Sequence, residues 1–322
     1  MIARFRLLIL LLSINYLGYT QTRDTVRMKK VRQIIERFPN TRTVGLQIES
    51  FNSSNFNTKD FSTDVKGEVN ELQRAKIAVN LPVMAINRKF IATISGYYSQ
   101  TTGDMSITPL NGTSINNDID LKYWSGSLNT MYISSLFNNP TVFTGSLTGD
   151  GDHLDMRRIR GMITSTMILK RSPTENFSIG LIGIIDRSSR VPALPMVAYE
   201  RHVNGSPWTF ELLFPQKIFL ERRISVNGLL FMGSEIFADR NYVTLGTDKL
   251  DGIYEFNEAS IRSGLTYEHR FFGNLYLLFR GGISNPINAR LIERNVKSSD
   301  YTLITKRNGS MYFNFGLSYN LF

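Results

Sequence analysis

Apolar and polar side chains alternate along much of the chain from Thr43 onward, in stretches of roughly ten residues bounded by Gly, Asn, Asp, Ser and Pro. Val44, Leu46 and Ile48 alternate with polar or small neighbours, and the same period recurs over residues 73–82. Side chains two residues apart lie on one face of a strand. The pattern therefore predicts an all-β protein built from amphipathic strands.

The alternation is clearest late in the chain, where the charged side chains of Arg262, Glu268 and Arg270 share one face of a predicted strand. Leu265 and Tyr267 lie on the opposite, apolar face. In a soluble β-sandwich the apolar face packs into the core and the charged face meets water. In a transmembrane barrel the apolar face meets lipid and the charged face meets the lumen. Alternation alone leaves both options open.

Strand and loop lengths favour the barrel. The predicted strands exceed the typical length of about five or six residues. Short and long connections also alternate: residues 82–88 and 272–274 predict tight turns, while 101–118 and 285–309 predict long polar loops. Short periplasmic turns that alternate with longer outer loops are typical of a single transmembrane antiparallel β-barrel.

The last predicted strand ends with the chain at Phe322. Its apolar face is formed by Phe313, Phe315, Leu317 and Tyr319, opposite asparagine, glycine and serine. This stretch resembles the C-terminal insertion signal of outer-membrane barrels, in which an alternating aromatic strand ending in Phe is recognised by the barrel assembly machinery. The phase departs by one residue, because Leu321 rather than Phe322 continues the apolar face.

A count of strands follows from parity, because a barrel with both chain ends in the periplasm needs an even number. The candidates are 43–51, 73–82, 89–100, 119–133, 141–148, 160–171, 177–187, 193–202, 207–214, 217–225, 229–247, 255–270, 274–284 and 310–322. This predicts about 14 strands, with 12 as the alternative. The Asp239-Arg240-Asn241 break is interpreted as a bulge or a flared outer extension.

The N-terminal residues have the layout of a secretory signal peptide over residues 1–20: Arg4 and Arg6, an apolar run, and then Gly18 and Thr20. Cleavage before Gln21 is expected, and the loss of two arginines would lower the formal charge from +10 to +8. Residues 21–42 predict a basic periplasmic segment, either a flexible leader or a short helix or plug. Residues 43–322 then form the barrel. The predicted location is the cell outer membrane.

Candidate chemistry is sparse. The chain contains no cysteine and three histidines without metal-site spacing, so we predict no cofactor and no metal. Asp150, Asp152, His153 and Asp155 form an acidic stretch whose carboxylates would offer oxygen ligands to a hard cation, but a solvated outer loop is the favoured interpretation. His269 lies too far along its strand from Ser263 for a lipase-type pair, so we predict that the protein is not an enzyme.

The inward-facing charges are the candidate lumen lining. The residues selected are Arg74, Lys76, Glu211, Arg262, Glu268, Arg270 and Arg280. Lumen residues tune solute selectivity in open pores, whereas pairs of opposite charge fill a closed interior. At 12 to 14 strands both states are possible, so the residues leave the choice open.

Several short motifs resemble an uncharacterised family of Gram-negative outer-membrane β-barrels that is labelled only as a domain of unknown function. They are Pro192-Ala-Leu-Pro195, Trp208-Thr-Phe-Glu-Leu-Leu-Phe-Pro215-Gln-Lys-Ile, Gly233, and Tyr242-Val-Thr-Leu. The resemblance implies the fold and the location, and it implies no catalytic residue.

The function expected from these observations is a passive pore or a transport-related protein for a small solute. The alternative is a closed structural or adhesive barrel that binds a partner through its outer loops, and the third option is an interfacial lipid-modifying enzyme. The expected partners are outer-membrane lipid, the barrel assembly machinery and a small solute, with no nucleic acid. The oligomeric state stays open.

Overall fold

A computed structural model describes most of the chain beyond its N-terminal residues. The described residues are 42–59, 64–87, 89–108, 115–186, 189, 191–246, 251–293, 296 and 300–321. The predicted signal peptide, all but Arg42 of the predicted periplasmic segment, and Phe322 lie outside them. No helix long and apolar enough to cross a membrane occurs in the described part of the chain.

Sixteen antiparallel strands make up the described structure. They are β1 Val44–Phe51, β2 Ser54–Lys59, β3 Asp64–Ile86, β4 Phe90–Thr108, β5 Ile115–Leu136, β6 Asn139–Gly151, β7 Met156–Arg171, β8 Glu175–Ile185, β9 Ala193–His202, β10 Trp208–Phe214, β11 Lys217–Arg223, β12 Gly228–Gly246, β13 Asp251–Phe272, β14 Leu275–Glu293, β15 Leu303–Arg307 and β16 Ser310–Tyr319.

Fourteen of these strands form a closed ring, in which each strand pairs with two neighbours. The ring closes through β1, which pairs with β16 on one side and with β3 on the other. The predicted all-β barrel and its count of 14 strands are confirmed. We call the end of the barrel at which the described residues begin with Arg42 and end with Leu321 the inner end, and the opposite end the outer end.

The two faces of the barrel wall differ in chemistry. On β16, Phe313, Phe315 and Leu317 point outward and are exposed, while Asn314 points inward and is buried. The same alternation holds on β1, where Ile48 is exposed outside the ring and the neighbouring glutamate is fully buried inside it. A soluble protein has the reverse arrangement, so the fold is a transmembrane β-barrel.

The strands on opposite sides of the ring differ greatly in length. The strands β3 to β5 and β12 to β14 have 19 to 23 residues each, and we call them the long wall. The strands β8 to β11 have only 7 to 11 residues, and we call them the short wall. The long wall therefore continues past the outer end of the short wall.

This continuation corrects two sequence predictions. Residues 101–108 and 115–118 were expected in a loop but belong to paired strands, with Asp104 opposite Asp118. The expected loop 285–309 likewise contains the end of β14, all of β15 and a connection between them. A backbone ladder does not need an apolar face. Where both faces of a strand meet water, the alternation that marks membrane-spanning strands is absent.

Beyond the short wall, the barrel narrows to eight strands, which we call the extension. The pairing of β12 with β11 ends at Glu235, and the pairing of β5 with β6 begins only at Trp124. The strands that continue outward are β12, β13, β14, β15, β2, β3, β4 and β5. The strands β15 and β2 are not predicted from the sequence, because they continue β16 and β1 after short polar interruptions.

The predicted break at residues 239–241 lies inside the extension. The pairing of β12 with β13 runs without a register shift from Gly228 to Gly246. The bulge interpretation is therefore wrong for this pair, and the outer-extension interpretation is correct, although the barrel narrows there and does not flare. The polar side chains there do not interrupt the ladder, because they point into the lumen or into water.

A row of glycines allows neighbouring strands of the long wall to approach closely. Gly233, Gly264 and Gly282 lie opposite one another on β12, β13 and β14. A Cβ atom at residue 264 would clash with the carbonyl oxygen of Gly281. Only glycine fits at such a position without a shift of the backbone.

We expect Gly264→Ala to lower the free energy of unfolding by about 2 kcal/mol, since overpacking forces the backbone to move. The measurement is urea unfolding of the barrel in lipid vesicles, followed by tryptophan fluorescence. Gly45→Ala is the matched control, because a Cβ on Gly45 meets no atom within 4 Å. If Gly264→Ala and Gly45→Ala unfold with the same free energy, β13 and β14 can move apart without loss of stability.

Candidate functional site: two ion-pair clusters and a luminal cavity

A cluster of five charged side chains lies inside the barrel, and we call it the central cluster. Its members come from β1, β3, β12 and β13 and are Glu49, Arg74, Lys76, Asp239 and Arg262. Three of them are cations and two are acids. Each occupies an inward position of its strand.

Glu49 is the most buried member and is fully shielded from solvent. Its Oε1 atom lies 2.8 Å from Lys76 Nζ and 3.1 Å from an Nη1 atom of Arg262. Its Oε2 atom lies 3.5 Å from Arg74 Nη1. Asn314 also donates its amide N–H to Glu49 at 3.1 Å. One carboxylate therefore holds all three cations of the cluster.

Asp239 provides the second acid from the other side of the lumen. Its Oδ2 atom lies 2.6 Å from Arg74 and 3.1 Å from Arg262. The Arg74 strand and the Asp239 strand are five positions apart around the ring. The ion pair between them therefore crosses the lumen instead of running along the wall.

Aromatic rings surround the cations of the central cluster. The guanidinium of Arg262 lies 3.9 Å from the ring centroid of Phe237 and 5.1 Å from that of Phe51. The ammonium of Lys76 lies 5.0 Å from the Phe237 ring. Contacts of cations with ring faces at these distances are favourable, and most so away from water. The rings also fill the space around the charges.

A second group of charges lies where the outer ends of β6, β7 and β8 meet the extension, and we call it the rim cluster. Its members are Asp150, Arg158, Arg160, Asp186, Arg240, Tyr242 and Glu255. Arg158 pairs with Asp186 at 2.8 Å beside it and with Glu255 across the lumen. Arg240 pairs with Glu255 at 2.5 Å.

Asp150 links the outer end of β6 to the extension. It pairs with Arg160 and accepts a hydrogen bond from the hydroxyl of Tyr242. The ring of Tyr242 stacks on that of Tyr123 with centroids 6.3 Å apart. Their strands, β12 and β5, are seven positions apart in either direction around the ring of fourteen. Opposite walls of the barrel therefore touch at this level.

A cavity of about 490 Å³ lies inside the extension between these contacts. Among the described residues, its charged lining consists of four cations, Arg74, Lys76, Arg240 and Arg290, and two acids, Asp239 and Glu258. Its uncharged lining includes Tyr97, Ser99, Tyr123, Ser125, Phe237 and three asparagines. The size is typical of a site for a small molecule.

The structure places the predicted lumen residues at different levels. Arg74, Lys76 and Arg262 meet in the central cluster, as described above. Glu268 is buried nearer the inner end and pairs with Arg42 at 2.6 Å. Arg280 pairs with Glu235 and donates to Thr266 at 2.9 Å.

Two further predicted residues lie outside these clusters. Glu211 pairs with Lys217 at 2.8 Å, along the short wall and between adjacent strands. Arg270 lies beside the inner-end turn, where its Nε atom donates to the carbonyl of Gly273 at 2.6 Å. A role of any of the seven residues in solute selectivity stays a prediction.

Neither acid of the central cluster is among the lumen residues predicted from the sequence. Glu49 shares a face of β1 with Gln47, so its inward position was readable from the alternation. Asp239 was assigned to a break in the strand, which concealed its direction. The partners of each residue depend on contacts between strands far apart in the chain, and no local pattern carries that information.

In the acidic turn between β6 and β7, the carboxylate oxygens of Asp152 accept hydrogen bonds from the turn itself and from the start of β7. Asp152 Oδ1 accepts from the backbone N–H of Leu154 at 2.9 Å and of Asp155 at 3.1 Å, and its Oδ2 accepts from Arg157 at 2.9 Å. Burial by itself would raise the pKa of Asp152, but the Arg157 guanidinium and the two N–H groups hold it below its usual range. Among the described residues, no cluster of His, Asp and Glu is placed to hold a metal ion.

His269 and Ser263 do not form a pair. His269 Nδ1 lies 2.9 Å from the hydroxyl of Tyr267, and Ser263 Oγ lies 2.7 Å from Ser234 Oγ. Both side chains therefore have other partners. The arrangement provides no activated nucleophile of the serine–histidine type.

The residues of the predicted insertion signal lie on the outer face of β16. Phe313, Phe315, Leu317 and Tyr319 are exposed there, and the Phe315 ring packs edge-on against Phe279 at 5.1 Å. Phe322 lies outside the described residues. Recognition of this strand by the assembly machinery stays a prediction.

No family model matches the chain, and no curated protein matches it. Among solved structures, the chain is similar to the outer membrane protease OmpT from Escherichia coli, with 11% identity, 86% of this chain and 96% of that chain covered, and a TM-score of 0.33. It is also similar to an outer membrane channel from Pseudomonas putida F1, with 11% identity, coverages of 87% and 96%, and a TM-score of 0.36.

A third similar structure is the transport unit of the autotransporter AIDA-I from Escherichia coli, with 11% identity, 94% of each chain covered and a TM-score of 0.35. Similarity at these levels does not define a function. Membership of the family suggested by the short motifs stays a prediction.

The surface of the chain itself defines its location. A closed ring of antiparallel strands, apolar outside and charged inside, is the architecture of bacterial outer-membrane barrels. The protein is an integral protein of the outer membrane.

Proposed function

We propose that this barrel is a non-enzymatic transport protein that passes a small solute through a narrow, charged lumen. The observation that carries the proposal is the cavity of about 490 Å³ inside the extension. It lies next to the central cluster, in the part of the lumen that continues into the extension. Its lining of charged, hydroxyl and aromatic groups is of the kind that binds small molecules.

The two ion-pair clusters make this lumen narrower than that of a general pore. The pair of Arg74 with Asp239 and the pair of Arg158 with Glu255 each join strands on different sides of the ring. Barrels of sixteen or more strands leave an aqueous channel, whereas smaller ones are partly filled by their side chains. A fourteen-stranded barrel crossed by ion pairs fits slow passage of a bound solute.

A closed barrel that binds a partner at its outer end is the second candidate. The packing of Phe51 against Tyr312, with ring centroids 6.0 Å apart and both rings buried, favours it because these rings fill part of the lumen. The two candidates differ in one property, the passage of ions.

We expect single-channel recordings in planar lipid bilayers to show small, stable conductance steps. The protein would be extracted folded from outer membranes, and its fold checked by the shift that heating causes in gel mobility. The same preparation after heat denaturation is the control. Silence from protein that is demonstrably folded would contradict transport and support the closed barrel.

A further inference from the structure

A groove lies on the lipid-facing side of the barrel wall, outside the lumen. It has a volume of about 590 Å³ and is lined by residues of β1, β12, β13, β14 and β16. Gly281 and Ser50 lie on either side of Phe313 in the ladder of these strands. Because glycine has no side chain and serine a short one, both positions leave space beside the phenylalanine ring. Leucine, isoleucine and aromatic side chains make up most of the rest of the lining.

The groove is long enough for one hydrocarbon chain. Five of its lining residues lie directly opposite one another in successive strand pairs: Leu230, Tyr267, Phe279, Phe315 and Ile48. Neighbouring strands are about 4.8 Å apart, so the row is roughly 19 Å long. That length matches an extended acyl chain, and lipid hydrocarbon is the medium around the apolar band of a barrel. An acyl chain therefore fits the groove in length and in chemistry.

A cation lies at one end of this row. Arg222 of β11 is directly opposite Leu230, on the same side of the wall. Its side chain is exposed, and its guanidinium lies 5.6 Å from the ring centroid of Trp208. None of the described residues that share this face of β10, β11 and β12 is an acid. A cation at a membrane surface with no acid on the adjoining strands favours an anionic lipid headgroup.

Arg222 lies near the inner end, at the level where a headgroup is expected. It is the second-to-last residue of β11, and Trp208 is the first residue of β10. On β13, the hydroxyl of Tyr267 lies 2.9 Å from Nδ1 of His269 on the same side of the wall. Aromatic residues with a polar tip are typical of the membrane–water interface. The groove therefore combines an apolar length with a polar, cationic end, as a phospholipid combines hydrocarbon with a charged headgroup.

We propose that the groove binds one anionic phospholipid from the leaflet at the inner end. The phosphate accepts hydrogen bonds from the guanidinium of Arg222, whose planar fork matches the phosphate oxygens. One acyl chain lies along the row from Leu230 to Ile48, beside Gly281. The site lies outside the lumen, so the proposal does not depend on the passage of a solute.

Native mass spectrometry tests the proposal with two lipids that differ in charge. The barrel is extracted folded from outer membranes, freed of bound lipid by detergent exchange, and titrated with phosphatidylglycerol or phosphatidylethanolamine of identical acyl chains. The spectra count the lipids that stay bound to each barrel. We expect one phosphatidylglycerol per barrel, and about fivefold weaker binding of phosphatidylethanolamine, since its headgroup has no net charge.

Arg222→Gln is expected to weaken the binding of phosphatidylglycerol by about tenfold, since it removes hydrogen bonds between charged groups. Arg201→Gln is the matched control. Arg201 is also exposed and second-to-last in its strand, β9, but it lies opposite Glu175 and away from the groove. Its replacement should leave the binding of both lipids unchanged.

Gly281→Leu tests the groove itself, because it places a side chain in the space proposed for the acyl chain. We expect it to weaken the binding of phosphatidylglycerol by about fivefold or more, since apolar contact area is lost. Gly96→Leu is the control, because a Cβ on Gly96 meets no atom within 4 Å and its neighbours Ile94 and Tyr98 are exposed on the lipid-facing side of β4. The shift that heating causes in gel mobility shows whether each variant is folded.

Equal binding of the two lipids by the unmodified barrel would overturn the proposal, because it would indicate ordinary boundary lipid. The same loss in Arg222→Gln and Arg201→Gln would overturn it as well, and so would full binding by a folded Gly281→Leu barrel. If Gly281→Leu does not fold, the comparison of the two arginine variants decides the outcome.

Discussion

Replacing Glu49 by glutamine is expected to lower the free energy of unfolding by about 3 kcal/mol, because it breaks a buried network by removing one charge. Glutamine keeps the size of the side chain and one acceptor oxygen. It leaves Arg74, Lys76 and Arg262, all buried, with Asp239 as the remaining acid of the cluster. The measurement is urea unfolding in lipid vesicles, followed by tryptophan fluorescence.

The double variant Glu49→Gln with Lys76→Met separates charge balance from packing. Lys76 is the cation closest to Glu49, so its removal should recover much of the lost stability. Glu175→Gln is the control, because that pair with Lys170 lies in water at an inner-end turn and contributes little. An E49Q barrel as stable as the unmodified protein would show that the cluster does not hold the walls together.

Removing the ion pair that crosses the lumen is expected to enlarge the channel. The double variant Arg74→Ser with Asp239→Ser removes one charge of each sign and two long side chains from the narrow part of the lumen. Since conduction depends on the narrowest constriction, we expect the single-channel conductance to rise by about twofold or more. Planar bilayer recordings of the folded variant provide the measurement.

Glu211→Ser with Lys217→Ser is the matched control for the channel. This pair has a similar separation, 2.8 Å, and the same net charge, but it lies between adjacent strands along the short wall. Its removal should leave the conductance unchanged. The same rise in both double variants would mean that the central cluster is not the constriction, and no rise in either would argue against a conducting lumen at this level.

Several parts of the fold could be predicted because they depend on local periodicity. On β1, β3, β13, β14 and β16 the side chains alternate with a period of two, and each strand was found with its apolar face outward. Parity then led to the ring of fourteen. The strands β2 and β15 could not be predicted in this way, because polar residues occur on both of their faces and the period of two is lost.

The candidate site was predictable only in part. Arg74, Lys76 and Arg262 were identified as inward-facing cations from their strand positions, and Glu49 was identifiable in the same way. The pairing of Arg158 with Glu255 could not be predicted, because these residues are 97 positions apart in the chain and six strands apart around the ring.

The sequence by itself determined which strands cross the membrane and which face of each strand meets lipid, since both follow from the alternation of neighbouring residues. Only the tertiary structure decided that β5 and β12 stand opposite each other, that the extension narrows to eight strands, and that the charges meet across the lumen. The physical reason is that closure of the ring sets which distant strands face one another. Alternation specifies the direction of a side chain, but it carries no information on the strand that lies across from it.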